Sequence, residues 1–532
     1  MLRLALIFSL TIVLFLPQNS TQKASEKPYD LLIVNGRIVD GTGNPWFRAS
    51  IAVKNGRIAK IGKIEPDSAK QVIDAKDKIV APGFIDVHTH VENIFNLPDA
   101  ENFVRMGVTS LITGNCGSST INVAEFLARY EKTPLTVNLG TLIGHGSVRS
   151  KVMGTEDRLP SPEEQAQMEA LVEKAMQEGA LGLSTGLIYV PGTYAKTEEI
   201  VALAKVAAKY GGIYVSHIRD EGTKVIESIK EAIEIGEKAQ IPVQISHFKI
   251  SSKRLWGKSN MTLELVKSAR ERGLQITVDQ YVYPASSTSL DARLPNWVAA
   301  GGRNEAIKRL SDTQTRKKII EEMKEELKNR GFKDYSFAYV ANYSPNPEYN
   351  GKNIVEITKI EQGRKDLNSQ IEQIFRMYEK GGASMVYRVM SEEDVQRILQ
   401  APFTMFASDS GVRSFGQGVP HPRGYGNNAR VLGEYVRKLK LISLEEAIRK
   451  MTSLPAQVFS LRDRGLLLEG FAADIVIFDE KTVTDKSTFE NPHQYPEGFS
   501  YVIINGEIVL NESGLTGRRP GRPLVRSNRG VL

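Results

Sequence analysis

The sequence predicts an α/β protein: a TIM-like (β/α)8 barrel carried on a small β-sandwich that both chain ends build together. Eight apolar, β-rich runs alternate with amphipathic helical patterns through the middle of the chain. The two ends share one strand vocabulary, "LLIVNGRIVD" and "IAVKNGRIAKIG" before residue 65 and "YVIINGEIVL" after residue 500. The one cysteine and four of the seven histidines stand at the ends of the barrel-strand runs.

Each Asn-Gly set between apolar runs is a strong short-range hairpin signal. Hairpins are therefore expected at Asn35-Gly36, Asn55-Gly56 and Asn505-Gly506. The barrel strands are read, in order, in "KIVAPGFIDVHTH", "GVTSLITGNCG", "PLTVNLG", "GALGLSTG", "GIYVSHIRD", "IPVQISHFK", "LQITVDQY" and "FTMFASDSG". Among the helices, "SPEEQAQMEALVEKAMQEG" opens on a Ser161-x-x-Glu164 capping box with Pro162 at its first position. A doubly wound open sheet, the alternative, would show fewer strands and a Gly-rich fingerprint after the first, and there is none. More than a hundred residues rich in Ser, Pro, Asn and aromatics separate strands seven and eight, which predicts a substrate-facing insertion. "SLEEAIRKMTSLPAQVFSL" reads as one capped amphipathic helix leading back to the β-domain. The expected boundaries are a leader at 1–25, sandwich at 29–80, barrel at 81–460 with an insertion at about 284–400, sandwich again at 461–515, and a basic tail at 516–532.

Hydrophobic and charged shares of 41% and 25% describe an ordinary globular protein. The basic excess, 69 Lys and Arg against 62 Asp and Glu, is spread along the chain with no interleaving of aromatics and arginines, which argues against a nucleic-acid partner. At the N-terminus one arginine precedes the apolar run Leu4–Leu16, then Pro17. That fits a signal h-region of about 7–15 residues and falls short of the ~20 that span a bilayer. The expectation is an exported, periplasmic or secreted protein with no membrane span once the leader is removed. A poorly marked cleavage site leaves an uncleaved anchor as the alternative. In an oxidising compartment Cys116 has no internal partner, so it must be buried, metal-bound or paired with another chain.

The carboxyl ends of barrel strands meet around one opening, where catalytic residues gather. His88 and His90 close the first strand, Cys116 the second, His217 the fifth, His247 the sixth and Asp409 the eighth. His88 and His90 are two apart and so face one side. Zinc takes imidazole, thiolate and carboxylate, and a catalytic site keeps one position open for water. Cys116, His217 and His247 would supply three ligands, and water bound there has its pKa pulled towards ~7. Asp409 can accept that water's proton and return it to a leaving group. His145, in "LIGHGSVR", is either a ligand neighbour or a loop residue, and His493, in "NPHQYP", reads as structural.

The layout "DLLIVNGRIVDGTG" … "IVAPGFIDVHTH" resembles the amidohydrolase superfamily. "LITGNCGSS", "GALGLSTGLIYVPG", "SHIRDEG", "ISHFK", "DQY", "ASDSG" and "HPRGYG" are more narrowly similar to N-acyl-D-amino-acid deacylases, from about residue 29 to about 515. The resemblance implies hydrolysis of the amide of a small N-acyl-D-amino acid. It implies a tightly held zinc on Cys116, His217 and His247, and a second, weaker metal position on His88, His90 and Asp409, with Asp409 as catalytic acid and base. It implies Arg423 and Lys249 as holders of the substrate carboxylate, a role that a guanidinium fork and an ammonium suit. Tyr194, Tyr283 and Ser289 are further pocket candidates. Many superfamily members bridge two metals with a strand-four lysine. None stands in "GALGLSTGLIYVPG", and Cys116 takes that place. Val282 departs from the proline common in the family. The alternatives are a cyclic-amide hydrolase of the dihydroorotase or hydantoinase kind and, from another class, a catalytically dead binding barrel.

Overall fold

The computed structural model describes residues 27–526, so the expected leader at 1–25 and the last six residues of the basic tail lie outside the described residues. Five strands open the chain: β1 (Tyr29–Ile38), β2 (Phe47–Lys54), β3 (Arg57–Gly62), β4 (Ala69–Asp74) and β5 (Ile79–Pro82). The barrel follows with β6 (Phe84–Asp86), β7 (Val108–Thr113), β8 (Asn138–Thr141) and its short continuation β9 (Ile143–Gly144), β10 (Gly182–Gly186), β11 (Ile213–His217), β12 (Val243–Ile245) and β13 (Ile276–Gln280). Within the insertion β14 (Ser286–Ser289), β15 (Ala338–Asn342) and β16 (Ser384–Tyr387) form an antiparallel sheet, and β17 (Thr404–Phe406) is the eighth barrel strand. β18 (Ile475–Phe478), β19 (Phe499–Ile504), β20 (Glu507–Asn511) and β21 (Gly514–Leu515) then return to the first sheet.

That first sheet runs β21-β20-β19-β18-β5-β1-β2-β3 and branches at β1, which pairs in parallel with β4 along its first half and with β5 at its end. The branch lets the sheet close over a core of Leu31, Ile33, Ile51, Val80, Ile475, Ile477 and Ile503. Each such side chain contributes roughly 1.5–3 kcal/mol by burial. The barrel strands pair in parallel as β6-β7-β8 and β9-β10-β11-β12-β13-β17. A parallel bridge between Thr89 and Ser410 joins the first strand to the segment after the eighth.

Two local expectations need correction. Asn55-Gly56 and Asn505-Gly506 do turn hairpins, but Asn35-Gly36 lies inside β1 as a bulge, with Asn35 at φ 56° and a register shift against β2. The chain runs straight on because Gly36 packs against Val80, where an added Cβ would stand 2.5 Å from Cγ2. The segment after strand eight is two helices, Leu444–Met451 and Ser453–Val458, not one. Pro455 has no N–H and its ring opposes the carbonyl of residue 451, so the first helix stops. The capping box forms as expected, Ser161 Oγ accepting from Glu164 N and the Glu164 side chain from Ser161 N.

The basic tail is not a free appendage over its described length. Gly521 N donates to Leu135 O, Leu524 N to Leu139 O and Arg526 N to Gly179 O, carbonyls at the amino-terminal ends of β8 and β10. Leu524 thereby enters the apolar cluster of Ile85, Val87, Ile112, Leu181, Ile213, Val215 and Met405, together with Leu454 and Phe459. Among the described residues no helix is long and apolar enough to cross a membrane.

Candidate metal centre

Alternation along β11 puts Ile213 and Val215 in the barrel core and carries His217 to the mouth. Cys116, His247 and Asp409 stand just past β7, β12 and β17, each in left-handed backbone at φ 53°, 35° and 50°. Non-glycine residues adopt that region at a cost, and it concentrates at functional sites. Here it turns three side chains inward that simple alternation would leave elsewhere.

The groups converge. Cys116 Sγ lies 3.3 Å from His88 Nε2, 3.5 Å from His217 Nδ1 and 3.7 Å from His247 Nε2. His247 Nε2 and His217 Nδ1 are 2.7 Å apart. Asp409 Oδ1 is 3.2 Å from His90 Nε2 and 3.4 Å from His88 Nε2. Zinc bonds of ~2.0–2.3 Å in tetrahedral array set ligand edges of roughly 3.3–3.6 Å, which the two sulfur–imidazole separations approach, while the two imidazole nitrogens stand closer together than that edge. The donor set, one sulfur and two imidazole nitrogens facing a common point, is that of zinc. His88, His247 and Asp409 form a second convergent group beside it.

Buried carboxylates fix the rings. Asp279 accepts from His247 N at 2.9 Å and from Gln244 Nε2, and its Oδ1 lies 3.2 Å from His88 Nδ1. Glu221 Oε1 lies 2.8 Å from His247 Nδ1 and 2.5 Å from Lys249 Nζ. Holding the rear nitrogen of a metal-binding histidine fixes its tautomer and ring plane. Burial pushes the Cys116 thiol up, but His88 and then His217 outweigh it and hold it well below the ordinary thiol range. Burial likewise raises the Asp409 carboxyl, and Arg423 followed by His88 brings it well below the usual carboxylate range.

All six metal-capable candidates therefore meet, and Cys116 is buried, which removes the option of pairing with another chain. Lys249 lines the cavity above them and faces the ring of Tyr281 at 5.7 Å. Arg423 sits one layer deeper, its Nη1 2.7 Å from Asp409 Oδ2 and its guanidinium 4.4 Å from the Tyr281 ring. Four of the expected substrate-binding residues do not line this cavity, Arg423 among them. The Tyr194 hydroxyl donates to Asn296 O in a separate rim depression. Tyr283 donates to Asp485, because the strand ends at Gln280 and its two-residue period does not carry on through the bend at Val282. Ser289 is exposed at the far end of β14. Tyr281, Ser287 and Tyr189 line the cavity in their place. His145 is buried against Glu199 at 2.8 Å, and His421 against Ala285 O. His493 contacts the Tyr425 hydroxyl and accepts from Gly416 N. Glu221 and Asp279 are the site residues that residue-level reading missed. Glu221 follows His217 by four positions in a loop that reads as ordinary charged surface, and nothing in its spacing marks it.

A closed parallel barrel with cysteine, histidine and aspartate converging above its carboxyl end, over a cavity of about 1210 Å³, defines a metal-dependent hydrolase. The chain belongs to the amidohydrolase family, which it matches over residues 71–510. It is 35% identical to a D-aminoacylase of Alcaligenes xylosoxydans xylosoxydans, over 95% of this chain and 99% of that protein. An N-acyl-D-glutamate deacylase of the same organism is 34% identical, over 94% and 97%. The crystal structure of N-acyl-D-glutamate deacylase from Bordetella bronchiseptica, complexed with zinc and a phosphonate inhibitor that mimics the tetrahedral intermediate, superposes with a TM-score of 0.80. It is 32% identical and covers 94% of this chain and 100% of that one.

Proposed function

We propose that the protein is a zinc-dependent deacylase that cleaves the amide of N-acyl-D-amino acids to a carboxylate and a free D-amino acid. The observation that carries this reading is the convergence of Cys116, His217, His247 and Asp409 beneath a cavity walled by Lys249. The relatives' names supply the D configuration and the linear amide. Zinc, when bound, lowers the pKa of water towards neutrality and polarises a carbonyl.

The protein groups do the rest. Cys116, His217 and His247 would hold the tight ion, and His88, His90 and Asp409 the weaker position. Asp409, kept ionised by Arg423, accepts the proton of the attacking water on Oδ1 and passes it to the departing nitrogen. Lys249 presents the cation at the cavity wall. Arg423, behind the cavity wall, holds the Asp409 carboxylate in place through its Nη1. Aromatic and apolar residues of the insertion, Met323, Leu327, Phe332 and Tyr335, face the same cavity and exclude water from it.

The test is a panel of N-acetyl amino acids in both configurations, together with hydantoins, offered to the zinc-loaded full chain. Amine release from D-configured linear amides is expected. No release from them, or faster opening of the cyclic amides, would sink the reading. The arginine-led apolar N-terminus supports a further proposal, that the protein is exported. Fractionation that leaves all of it in the cytoplasm would refute that.

A further inference from the structure

Lys249 has no free hydrogen. Its ammonium reaches Glu221 Oε1 at 2.5 Å, His247 Nδ1 at 2.8 Å and its neighbour's carbonyl, His247 O, at 3.0 Å. His247 Nδ1 thus faces two competing partners, Lys249 as a donor and Glu221, 2.8 Å away, as an acceptor. The two contacts require different tautomers. If Nδ1 accepts from Lys249, the ring proton sits on Nε2, the atom aimed at Cys116 and His217, and the ring has no lone pair for an ion there. If Nδ1–H donates to Glu221, Nε2 is free to ligate and Lys249 loses one acceptor. That N–H is then without a partner on a side chain that lines the cavity.

The loop that carries Glu221 is built to hold it still. Arg219 is tied to Glu231 and to the carbonyls of Thr193 and Ala195. Asp220 N donates to Ser228 Oγ, and Glu221 O accepts from Ser251 N at 2.7 Å. Arg330, from the insertion, binds both Asp220 and Ser251. The same Glu221 oxygen also lies 3.9 Å from His217 Nε2, the rear nitrogen of the other zinc-facing imidazole.

We propose that Glu221 is a positioning residue that makes zinc binding and substrate-carboxylate binding cooperative, by selecting the His247 tautomer that both need. Zinc on Nε2 frees a Lys249 donor for the carboxylate. A carboxylate on Lys249 withdraws that donor from Nδ1 and favours the zinc-binding tautomer. Linkage requires the two effects to be equal. The inference rests on the deacylase reading for the identity of the carboxylate, but its zinc arm stands without it.

The experiment follows zinc release from the full chain to 4-(2-pyridylazo)resorcinol, with and without D-methionine or D-glutamate as carboxylate probes. Wild type should release zinc about fivefold or more slowly with a probe bound, the low end of ordinary coupling. Glu221→Gln should release zinc about 10–100-fold faster than wild type without any probe and lose the slowing. Lys249→Met should keep its zinc and also lose the slowing, which tests the coupling even where Glu221→Gln fails to fold. Wild-type zinc release in Glu221→Gln, or undiminished slowing in either variant, would overturn the proposal. Turnover of N-acyl-D-amino acids without slowing in wild type removes the cooperativity and leaves the activity intact. No turnover with rapid zinc loss in Glu221→Gln removes the substrate reading and leaves Glu221 as an anchor of the zinc site.

Discussion

The two ends of the barrel are built on opposite principles. Above the strands' carboxyl ends, buried polar groups crowd within 4 Å of one another and three of them, Cys116, His247 and Asp409, sit in left-handed backbone. Below the amino-terminal ends, the inward residues Ile85, Ile112, Leu181 and Ile213 close on a plug of Leu454, Phe459 and Leu524. The mouth carries desolvated charge and backbone strain, both of which destabilise the fold. The floor is apolar burial, which stabilises it. Chemistry and stability are thus separated along one axis, and substitutions at the two ends should fail in different ways.

The largest expected effect is at the mouth. Cys116→Ala removes one of three ligands of the tight site, whereas loss of an outer carboxylate costs about 10–100-fold in affinity. Zinc content measured after gel filtration should fall to background, and activity should drop by more than ~100-fold. Circular dichroism should stay native, because the thiol adds little to the apolar core. A variant that unfolds with its zinc still bound would break the comparison, since the mouth would then be holding up the fold.

The floor should show the reverse. Leu524→Ala leaves a gap beneath the inward residues and should lower unfolding free energy by about 2–3 kcal/mol, the low end for a buried leucine because a terminal segment can settle. Urea titration measures it, and kcat per folded molecule should not move. A variant with unchanged stability would show that Leu454 and Phe459 plug the barrel without help from the tail.

How far the sequence reveals each end follows from the same contrast. The mouth was legible where a polar residue ends an apolar run, as in "YVSH" or "QISH", since burial of the run dictates where its last side chain goes. It was not legible where the chain leaves its strand. Tyr281 and Tyr283 are two apart and suggest one face, yet the turn at Val282 sends only Tyr281 to the cavity. Glu221 and Asp279 escaped because outer carboxylates obey no spacing rule. The floor hides a different signal. "RRPGRPLVRSN" reads as a solvated basic tail, and only the folded chain shows Pro523 bridged to Leu139 of β8 and Leu524 buried.

The smallest expected effect sharpens the account of the floor, where a lysine is buried without a close carboxylate. Lys450 is fully buried, donating to Ala401 O at 2.7 Å and to Leu399 O just ahead of β17, with its ammonium 5.9 Å from the Phe406 ring. Burial pulls its pKa down from 10.5 to about 8, with Glu446 opposing. The sign follows from proton counting. Below about pH 8 the lysine is charged in both folded and unfolded chains, and the folded chain bears the cost of a buried ammonium. Between about 8 and 10.5 the unfolded chain holds more protons, so stability rises with pH from this group. From pH 8 to 9.5 the gain is about 1.5 kcal/mol, short of the full 1.36 kcal/mol per unit because half of the folded lysine is still charged at pH 8. Urea titrations of wild type and Lys450→Met at both pH values isolate it: wild type should gain on the variant as pH rises. A constant difference would mean that the two carbonyls hold the ammonium charged throughout, and that the floor tolerates charge as well as the mouth does.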